Sequence, residues 1–354
     1  MTDLSVVVPT EGRYDLLLEL LRSAAAAREK SAATVEVLIV DSSDDEERVS
    51  GMCDHWEARY LRGSHHVRQK RNLGIRAAAG RYILFVDSDE QVDEALFDRH
   101  VARYEDPAIG GVVGLTLFQG ADSLSWPIAR SSRYLSPFRM ATLSERPPWG
   151  PCSNISFRRD VLLAVDGFAE DLPGRLGGDD VDLCLRVREA GWDLRSAPDA
   201  VTTHDASTWL PLRRTAARGY RWGRMHVHLC QRHAGAAPEL PWLLLTCCLF
   251  LIACAAFAFA QPLTGAASLI AAAALAAVSV TRPVTLGSIL AIPLDAAYGV
   301  GAFVEAIRLR RPSLAFRRLV YSDGQARWRL QVLSRQSTAL LLSCCLVWLT
   351  VMLG

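Results

Sequence analysis

Two aspartates separated by one residue, Asp87 and Asp89, directly follow the apolar run RYILFV at residues 81–86. Alternate residues of an extended chain lie on the same side, so both carboxylates can point to one place. Hard oxygen ligands of this kind hold Mg²⁺ or Mn²⁺ and leave coordination positions for the oxygens of a diphosphate. The Asp87-Ser88-Asp89 run therefore predicts a divalent-metal site, with a solvated turn as the alternative.

A second pair of carboxylates, Asp179 and Asp180, follows two glycines and opens a predicted helix over residues 180–190. Crowded carboxylates repel each other, which raises one pKa toward the range in which a carboxylate can remove a proton. An ordinary helix cap would use the same residues, because the helix dipole favours negative charge there. His204 ends the predicted strand VTTH, and its imidazole could complete the metal site or be structural.

Other polar residues stand near the ends of predicted elements. Asp41 ends the run VEVLIVD, where its carboxylate could accept a hydrogen bond from a nucleobase or ribose, or cap a turn. A predicted helix over residues 67–79 places Arg68, Arg71 and Asn72 on roughly one face, able to meet donor phosphates or brace Asp87. A solvated basic face is the alternative. The residues that follow the first apolar run are Thr10, Glu11 and Arg13.

The elements that must position these residues alternate between strand and helix. Apolar, β-branched runs occupy residues 5–10, 35–41 and 81–89, and helix-like stretches lie between them. This pattern is typical of a doubly wound sheet with parallel strands, whose ligands bind outside the carboxyl ends of the strands. The run FRRDVLLAVDGF at residues 157–168 predicts a further helix that ends in its DGF turn.

Long apolar segments lie toward the C-terminal end. Residues 241–260, 263–280 and 337–353 predict membrane spans, whereas residues 284–306 contain Asp295 and are ambiguous. Eight arginines between residues 308 and 335 place that stretch in the cytoplasm. We expect a hairpin from 241 to 280, a non-crossing third segment and a final span, with four spans as the alternative. The predicted domains are a cytoplasmic one at 1–235 and a membrane domain at 236–354.

The composition excludes some classes. The 354 residues carry a formal net charge of +1, and no stretch resembles a nucleic-acid-binding surface. The nine cysteines form no CxxC motif, which favours small buried residues of a reduced protein. No apolar stretch opens the chain, so we expect no cleavable signal peptide.

The order of the motifs resembles family 2 glycosyltransferases of the GT-A fold over residues 3–230. The motifs are, in chain order, VVVPT, LIVD, KRNLG, FVDSD, GPCSNISFRR and GGDDVDLCLR. The resemblance implies an α/β catalytic domain with a doubly wound, Rossmann-like mixed sheet, here followed by an α-helical membrane domain.

The resemblance also assigns roles to residues. Asp180 is the implied catalytic base, and its neighbour Asp179 stands where the family has Glu. The implied metal ligands are Asp87, Asp89 and His204. The residues implied for the nucleotide-diphosphate donor are Thr10, Glu11, Arg13, Asp41, Arg71, Asn72, Asp87, Ser88 and Asp89. The implied mechanism is inverting, by a single displacement assisted by Mn²⁺ or Mg²⁺.

The function expected is transfer of a sugar from a nucleotide-diphosphate sugar, a UDP-sugar being favoured, to a hydroxyl of a lipid-linked or membrane-proximal acceptor. A processive polysaccharide synthase is the first alternative. Processive members carry QxxRW, and the corresponding stretch from Arg218 to Trp222 lacks the glutamine. A nucleotidyltransferase and a non-enzymatic membrane scaffold with a degenerate nucleotide-binding domain are the alternatives from other classes.

Overall fold

The computed structural model describes residues 2–120, 124–174, 177–233, 236–238 and 286–319. The chain divides into two compact units. The first comprises Met1–Ala121 and Ser136–Thr208, and the second comprises Asp122–Leu135 and Trp209–Gly354. The sequence-based division after residue 235 stays a prediction.

Within the described residues, the strands of the first unit form one mixed sheet. They are β1 (Leu4–Thr10), β2 (Val35–Asp41), β3 (Arg59–Arg62), β4 (Tyr82–Val86), β5 (Glu90–Val92), β6 (Ile109–Gln119), β7 (Asn154–Arg158) and β8 (Asp193–Asp205). Their order is β3-β2-β1-β4-β7-β6-β8-β5. The first four in that order are mutually parallel, whereas β7 runs antiparallel to β4 and β6. The predicted mixed α/β sheet is confirmed.

Helices precede and follow these strands. In chain order they are α1 (Tyr14–Lys30), α2 (Glu46–His55), α3 (Val67–Ala77), α4 (Leu96–Val101), α5 (Trp126–Ser131), α6 (Arg159–Ala164), α7 (Asp179–Glu189), α8 (Leu212–Arg232), α9 (Leu286–Leu290) and α10 (Ile292–Arg308). Short 3₁₀ helices lie at Ala102–Glu105, Arg133–Leu135, Pro137–Thr142, Ala206–Trp209 and Pro312–Phe316. The last described strand, Arg317–Leu319, pairs with Ala236–Pro238.

One predicted helix is partly wrong. The stretch at 157–168 begins inside β7, and helix α6 occupies only Arg159–Ala164. The Ile155 and Phe157 side chains are buried where β7 inserts between β4 and β6, so strand pairing outweighs the local helical pattern. The DGF segment is a turn in which Asp166 and Gly167 have φ of 59° and 57°.

The sheet of the first unit is buried on both faces. Alternate side chains of β1 explain this, because Val6 and Val8 belong to the apolar cluster that includes residues of α1, whereas Val7 belongs to the cluster that includes α3. The second cluster contains Phe85 and Phe168, whose ring centroids lie 5.2 Å apart. Strands covered on both sides hold their carboxyl ends in fixed positions at one edge of the sheet.

The second unit contains a close helix pair, α8 and α10. A Cβ atom added at Gly223 of α8 would lie 1.9 Å from the carbonyl oxygen of Tyr298, and one at Gly301 of α10 would lie 2.0 Å from that of Tyr220. The two backbones therefore meet at positions that only glycine can occupy.

None of the helices in the described ranges combines the length and the apolarity needed to cross a bilayer. The predicted segment 284–306 is described from residue 286 as α9 and α10. The predicted spans at 241–260, 263–280 and 337–353 lie outside the described residues.

Candidate active site

The three predicted metal ligands come together at one edge of the sheet. Asp87 and Asp89 follow β4, and β5 then pairs antiparallel with β8 so that Glu90 stands opposite His204. One ligand atom from each of Asp87, Asp89 and His204 lies within 4.8 Å of the others. Two carboxylate oxygens and one imidazole nitrogen are a ligand set that could hold a divalent metal ion.

The imidazole of His204 directs its Nε2 atom toward Asp89. Its Nδ1 lies 3.1 Å from the carbonyl oxygen of Asp205, and a carbonyl can only accept, so we assign the proton to Nδ1. Nε2 then presents a lone pair 3.5 Å from a carboxylate oxygen of Asp89. Two acceptors that face each other in a buried place are stabilised by a cation between them, so the chemistry of this group fits a metal ion.

Two aromatic rings hold the imidazole in place, and the sequence did not indicate them. Phe118 of β6 stacks on His204 with ring centroids 5.3 Å apart, and Phe138 meets it edge-on at 6.2 Å. The register of β6 with β8, in which Phe118 is opposite His204, produces this contact. A sequence contains no local signal for such a pairing between strands, so these residues could be found only from the fold.

Arg13 and Ser88 accompany the metal group. The guanidinium of Arg13, a residue with φ of 56° at the start of α1, forms an ion pair with Asp89. The Arg13 side chain is half exposed, whereas Ser88 is buried between the two aspartates. A cationic group thus already lies against one of the carboxylates of the site.

Arg71 connects the metal group to the second carboxylate pair. It lies buried on α3, and its two terminal nitrogens donate to Asp179 at 2.6 Å and to Asp87 at 3.2 Å. Planar guanidinium groups are suited to such a bridge, because they present several donors in a fixed geometry. The arginine predicted to brace Asp87 does so, and it also fixes Asp179.

Asp180 follows Asp179 in the first turn of α7. Gly178 precedes that turn with φ of 77°, and one oxygen of Asp180 accepts the backbone N–H of Val181 at 2.9 Å. Burial, followed by the negative charge of Asp179, raises the pKa of Asp180 from 3.8 to about 7. A carboxylate with this pKa can remove a proton at neutral pH.

The predicted nucleoside residues occupy adjacent strand ends. Thr10 of β1 pairs with Asp41 of β2, and both are buried. One oxygen of Asp41 accepts both the backbone N–H and the hydroxyl of Ser43, so this carboxylate shapes the turn after β2. Glu11 is exposed and lies 3.0 Å from Nδ1 of His65. The nucleoside roles of these residues stay predictions.

Asn72 is turned toward a different part of the domain. Its amide nitrogen donates to the carbonyl of Phe168 and to Glu170, both at 2.8 Å, and its oxygen accepts the N–H of Phe168 at 2.8 Å. The side chain therefore holds the DGF turn after α6. Its predicted place in the donor pocket is not tested by these contacts.

Glu90 is a further acidic residue at this site, and the sequence motifs did not indicate it. It follows Asp89 directly and is buried, and burial together with the charges of Asp87 and Asp89 raises the pKa of Glu90 well above its usual range. A cavity of about 460 Å³ borders Asp89 and Glu90, and it is also lined by Glu19, Gln91, Thr203 and Asp205. The position of Glu90 directly after the Asp87-Ser88-Asp89 motif is the sequence signal that could have indicated it.

Residues 5–165 match the model described as glycosyl transferase family 2. This part of the chain is therefore similar to family 2 glycosyltransferases. The matched region contains Asp41, Asp87 and Asp89, whereas Asp180 and His204 lie beyond it.

Among curated proteins, the chain is similar to the pre-mycofactocin glycosyltransferase of two strains of Mycobacterium tuberculosis. The identity is 28% over 205 residues, which cover 54% of this chain. The match spans only 40% of the length of these relatives.

Among solved structures, the chain is similar to the mannosyltransferase PcManGT from Pyrobaculum calidifontis in complex with GDP-Man and Mn²⁺. The TM-score is 0.51 at 18% identity, over 96% of this chain and 86% of that one. This similarity concerns the fold, and it agrees with a GT-A-like mixed sheet.

Proposed function

We propose that this chain is an inverting, metal-dependent glycosyltransferase that moves a sugar from a nucleotide-diphosphate sugar to an acceptor hydroxyl. The observation that carries the proposal is the double contact of Arg71 with Asp87 and Asp179. Through it, the group suited to a metal ion and the carboxylate pair that contains Asp180 form one connected network.

The chemistry follows from the residues of this network. Asp180 accepts the proton of the acceptor hydroxyl as the hydroxyl oxygen attacks the anomeric carbon, and a pKa of about 7 suits this role. Asp87, Asp89 and His204 would hold the metal ion, which when bound acts as a Lewis acid toward the negative charge of the departing nucleotide diphosphate. Attack from the face opposite the leaving group inverts the anomeric configuration and requires no covalent sugar intermediate.

The donor is bound at the strand ends next to this network. Thr10, Glu11 and Asp41 take the nucleoside, and Arg13 lies near the diphosphate because it contacts Asp89. A UDP-sugar is the favoured donor class. GDP belongs in the same test, since GDP-Man is the ligand named for PcManGT.

The acceptor we propose is lipid-linked or membrane-proximal, as in the assembly of cell-envelope glycans. Support comes from the apolar segments at 241–260 and 337–353 and from the eight arginines between residues 308 and 335. The catalytic domain would then work at the cytoplasmic face of the cell membrane, where polyprenyl-type acceptors can reach it.

The experiment that tests the donor site is a thermal-shift panel of UDP, GDP and dTDP, each with and without Mn²⁺. We expect one nucleotide to stabilise the full chain by about 2.7 kcal/mol at a hundred times its Kd, and only when Mn²⁺ is present. The Asp87→Ala/Asp89→Ala variant should lose this response, whereas Asp180→Asn should keep it. A folded sample whose thermal stability rises with none of the nucleotides would contradict the proposal and favour the scaffold alternative.

A second measurement addresses the reaction itself. With the donor identified, the anomeric configuration of the product is read by proton NMR, and inversion is expected. Retention of configuration would contradict the single displacement. The length of the product separates a single transfer from a processive synthase, since the latter yields a ladder of chain lengths.

A further inference from the structure

Helix α10 of the second unit buries a carboxylate on its packed side and exposes an apolar face on the other side. Glu305 is buried, together with Gly301 and Ala306, on the side that packs against α8. The opposite side is apolar and open. It consists of Val300, Phe303, Val304 and Ile307, which we call the α10 stripe, with exposed fractions from 40% at Phe303 to 54% at Ile307.

The spacing of the α10 stripe shows that it is one continuous face. Positions 300, 303, 304 and 307 recur at three- and four-residue intervals, so these side chains lie side by side along the helix. Contiguous apolar surface of this kind is uncommon on soluble domains and marks a place where another apolar surface binds.

The helix cannot turn this face inward. Glu305 accepts hydrogen bonds from Arg224 at 2.6 Å and from His228 at 3.0 Å, both on α8. The backbone contact at Gly301 adds a steric constraint, since any rotation would drive larger side chains into α8. The exposure of the stripe is therefore a fixed property of the α8–α10 pair.

Positive charge stands at one end of the stripe. Arg308, Arg310 and Arg311 are all exposed where α10 ends. Arg310 has φ of 55° at a position after the helix where glycine is the usual residue. An arginine therefore stands at this position, and its side chain adds to the positive charge at this end of the stripe.

We propose that the α10 stripe docks on the surface of a lipid bilayer, with anionic headgroups against Arg308, Arg310 and Arg311. A bilayer surface offers an acyl boundary beside negative charge, which complements an apolar face that ends in arginines. The inference deepens the proposed function, on which it rests for the membrane-proximal acceptor, because it identifies which face of the second unit meets the membrane.

The test places a photoreactive p-benzoylphenylalanine at Phe303 of the full chain in vesicles of phosphatidylglycerol and phosphatidylcholine. The matched control carries the same group at Leu163, an apolar residue of the first unit that is 47% exposed. We expect lipid adducts at position 303 several-fold above those at position 163. Adducts with segments 241–280 or 337–353, adducts with a second copy of the chain, or a yield no higher than at position 163 would each overturn the proposal.

Charge is tested separately from apolar contact. Arg310→Gln/Arg311→Gln should lower the lipid adduct at position 303 several-fold, Arg310→Lys/Arg311→Lys should retain it, and vesicles of phosphatidylcholine alone should give less. Equal yields throughout would overturn the role of the arginines.

The nucleotide thermal shift on the same preparations separates the two proposals. A normal nucleotide response without lipid adducts overturns only the docking surface. Lipid adducts without a nucleotide response overturn only the transferase.

Discussion

A guanidinium nitrogen of Arg71 lies 2.6 Å from a carboxylate oxygen of Asp179, although the two residues are 108 positions apart in the chain. Both side chains are buried, and the other terminal nitrogen of Arg71 reaches Asp87. A buried cation between two carboxylates offsets part of their negative charge and fixes their separation. The contact therefore positions the proposed base pair relative to the proposed metal ligands.

Replacement of Arg71 should lower both the free energy of unfolding and the affinity for the donor. Arg71→Ala leaves Asp179 buried without its cation, so we expect the free energy of unfolding to fall by about 3–5 kcal/mol. Arg71→Lys keeps the charge but cannot donate to both carboxylates in the same geometry, so its loss should be smaller. Denaturant unfolding of the full chain in detergent measures both variants.

The control for this prediction is Arg76→Ala, an exposed arginine on the same helix. It should change the free energy of unfolding by less than about 0.5 kcal/mol. If Arg71→Ala were as mild as the control, the bridge would have no energetic importance.

Activity should depend on pH through Asp180. The base works only when deprotonated, and its pKa is about 7, so kcat should fall about tenfold for each pH unit below that value. Asp180→Asn should lower kcat by about 10²–10⁴-fold and remove this dependence. Initial rates at saturating donor across pH report both effects, with Glu189→Gln on the exposed end of α7 as the control.

The Asp180 carboxyl should also make the free energy of unfolding depend on pH, in the direction opposite to its effect on activity. Its folded pKa lies above the ordinary 3.8, so between those values the folded chain keeps a proton that the unfolded chain releases. The stabilising contribution of this proton to the folded state is complete below about pH 4 and is lost as the pH rises through about 7. The stability of the native protein minus that of Asp180→Asn, followed by unfolding at several pH values, should therefore decrease over this window. A flat difference would show that the pKa is not raised.

Metal affinity should depend on His204. Its ring supplies a proposed ligand atom and is held by Phe118, so His204→Ala should raise the Mn²⁺ concentration at half-maximal thermal stabilisation by at least about tenfold. Phe118→Leu should give a smaller increase, because the ligand remains but its orientation loosens. His55→Ala, on the exposed side of α2, should leave the Mn²⁺ response unchanged. An unaltered response in His204→Ala would remove this residue from the ligand set.

The contact between α8 and α10 should tolerate no side chain at Gly223. A Cβ there would meet the carbonyl oxygen of Tyr298, so Gly223→Ala should lower the free energy of unfolding by about 1–3 kcal/mol. Gly51→Ala is the matched control, since nothing lies within 4 Å of its Cβ on helix α2. That change should raise stability by about 0.4–1 kcal/mol. Equal thermal shifts for the two variants would argue against the close contact.

The sequence by itself determined the features that depend on neighbouring residues. Asp87 and Asp89 share one side of the chain after a strand because the backbone alternates its side chains. Helices α3 and α7 begin within one residue of their predicted starts, since apolar spacing and the preceding glycines are local signals. These signals were enough to predict an α/β sheet with alternating strands and helices, whereas its mixed character was implied by the resemblance to family 2 glycosyltransferases.

Only the tertiary structure decided which distant side chains meet. The insertion of β7 between β4 and β6 overrode a local helical pattern at residue 157, and the register of β6 with β8 placed Phe118 on His204. Arg71 bridges two carboxylates while its neighbour Asn72 is used by the DGF turn. Such choices depend on the packing free energy of elements far apart in the chain, which no local pattern of residues contains.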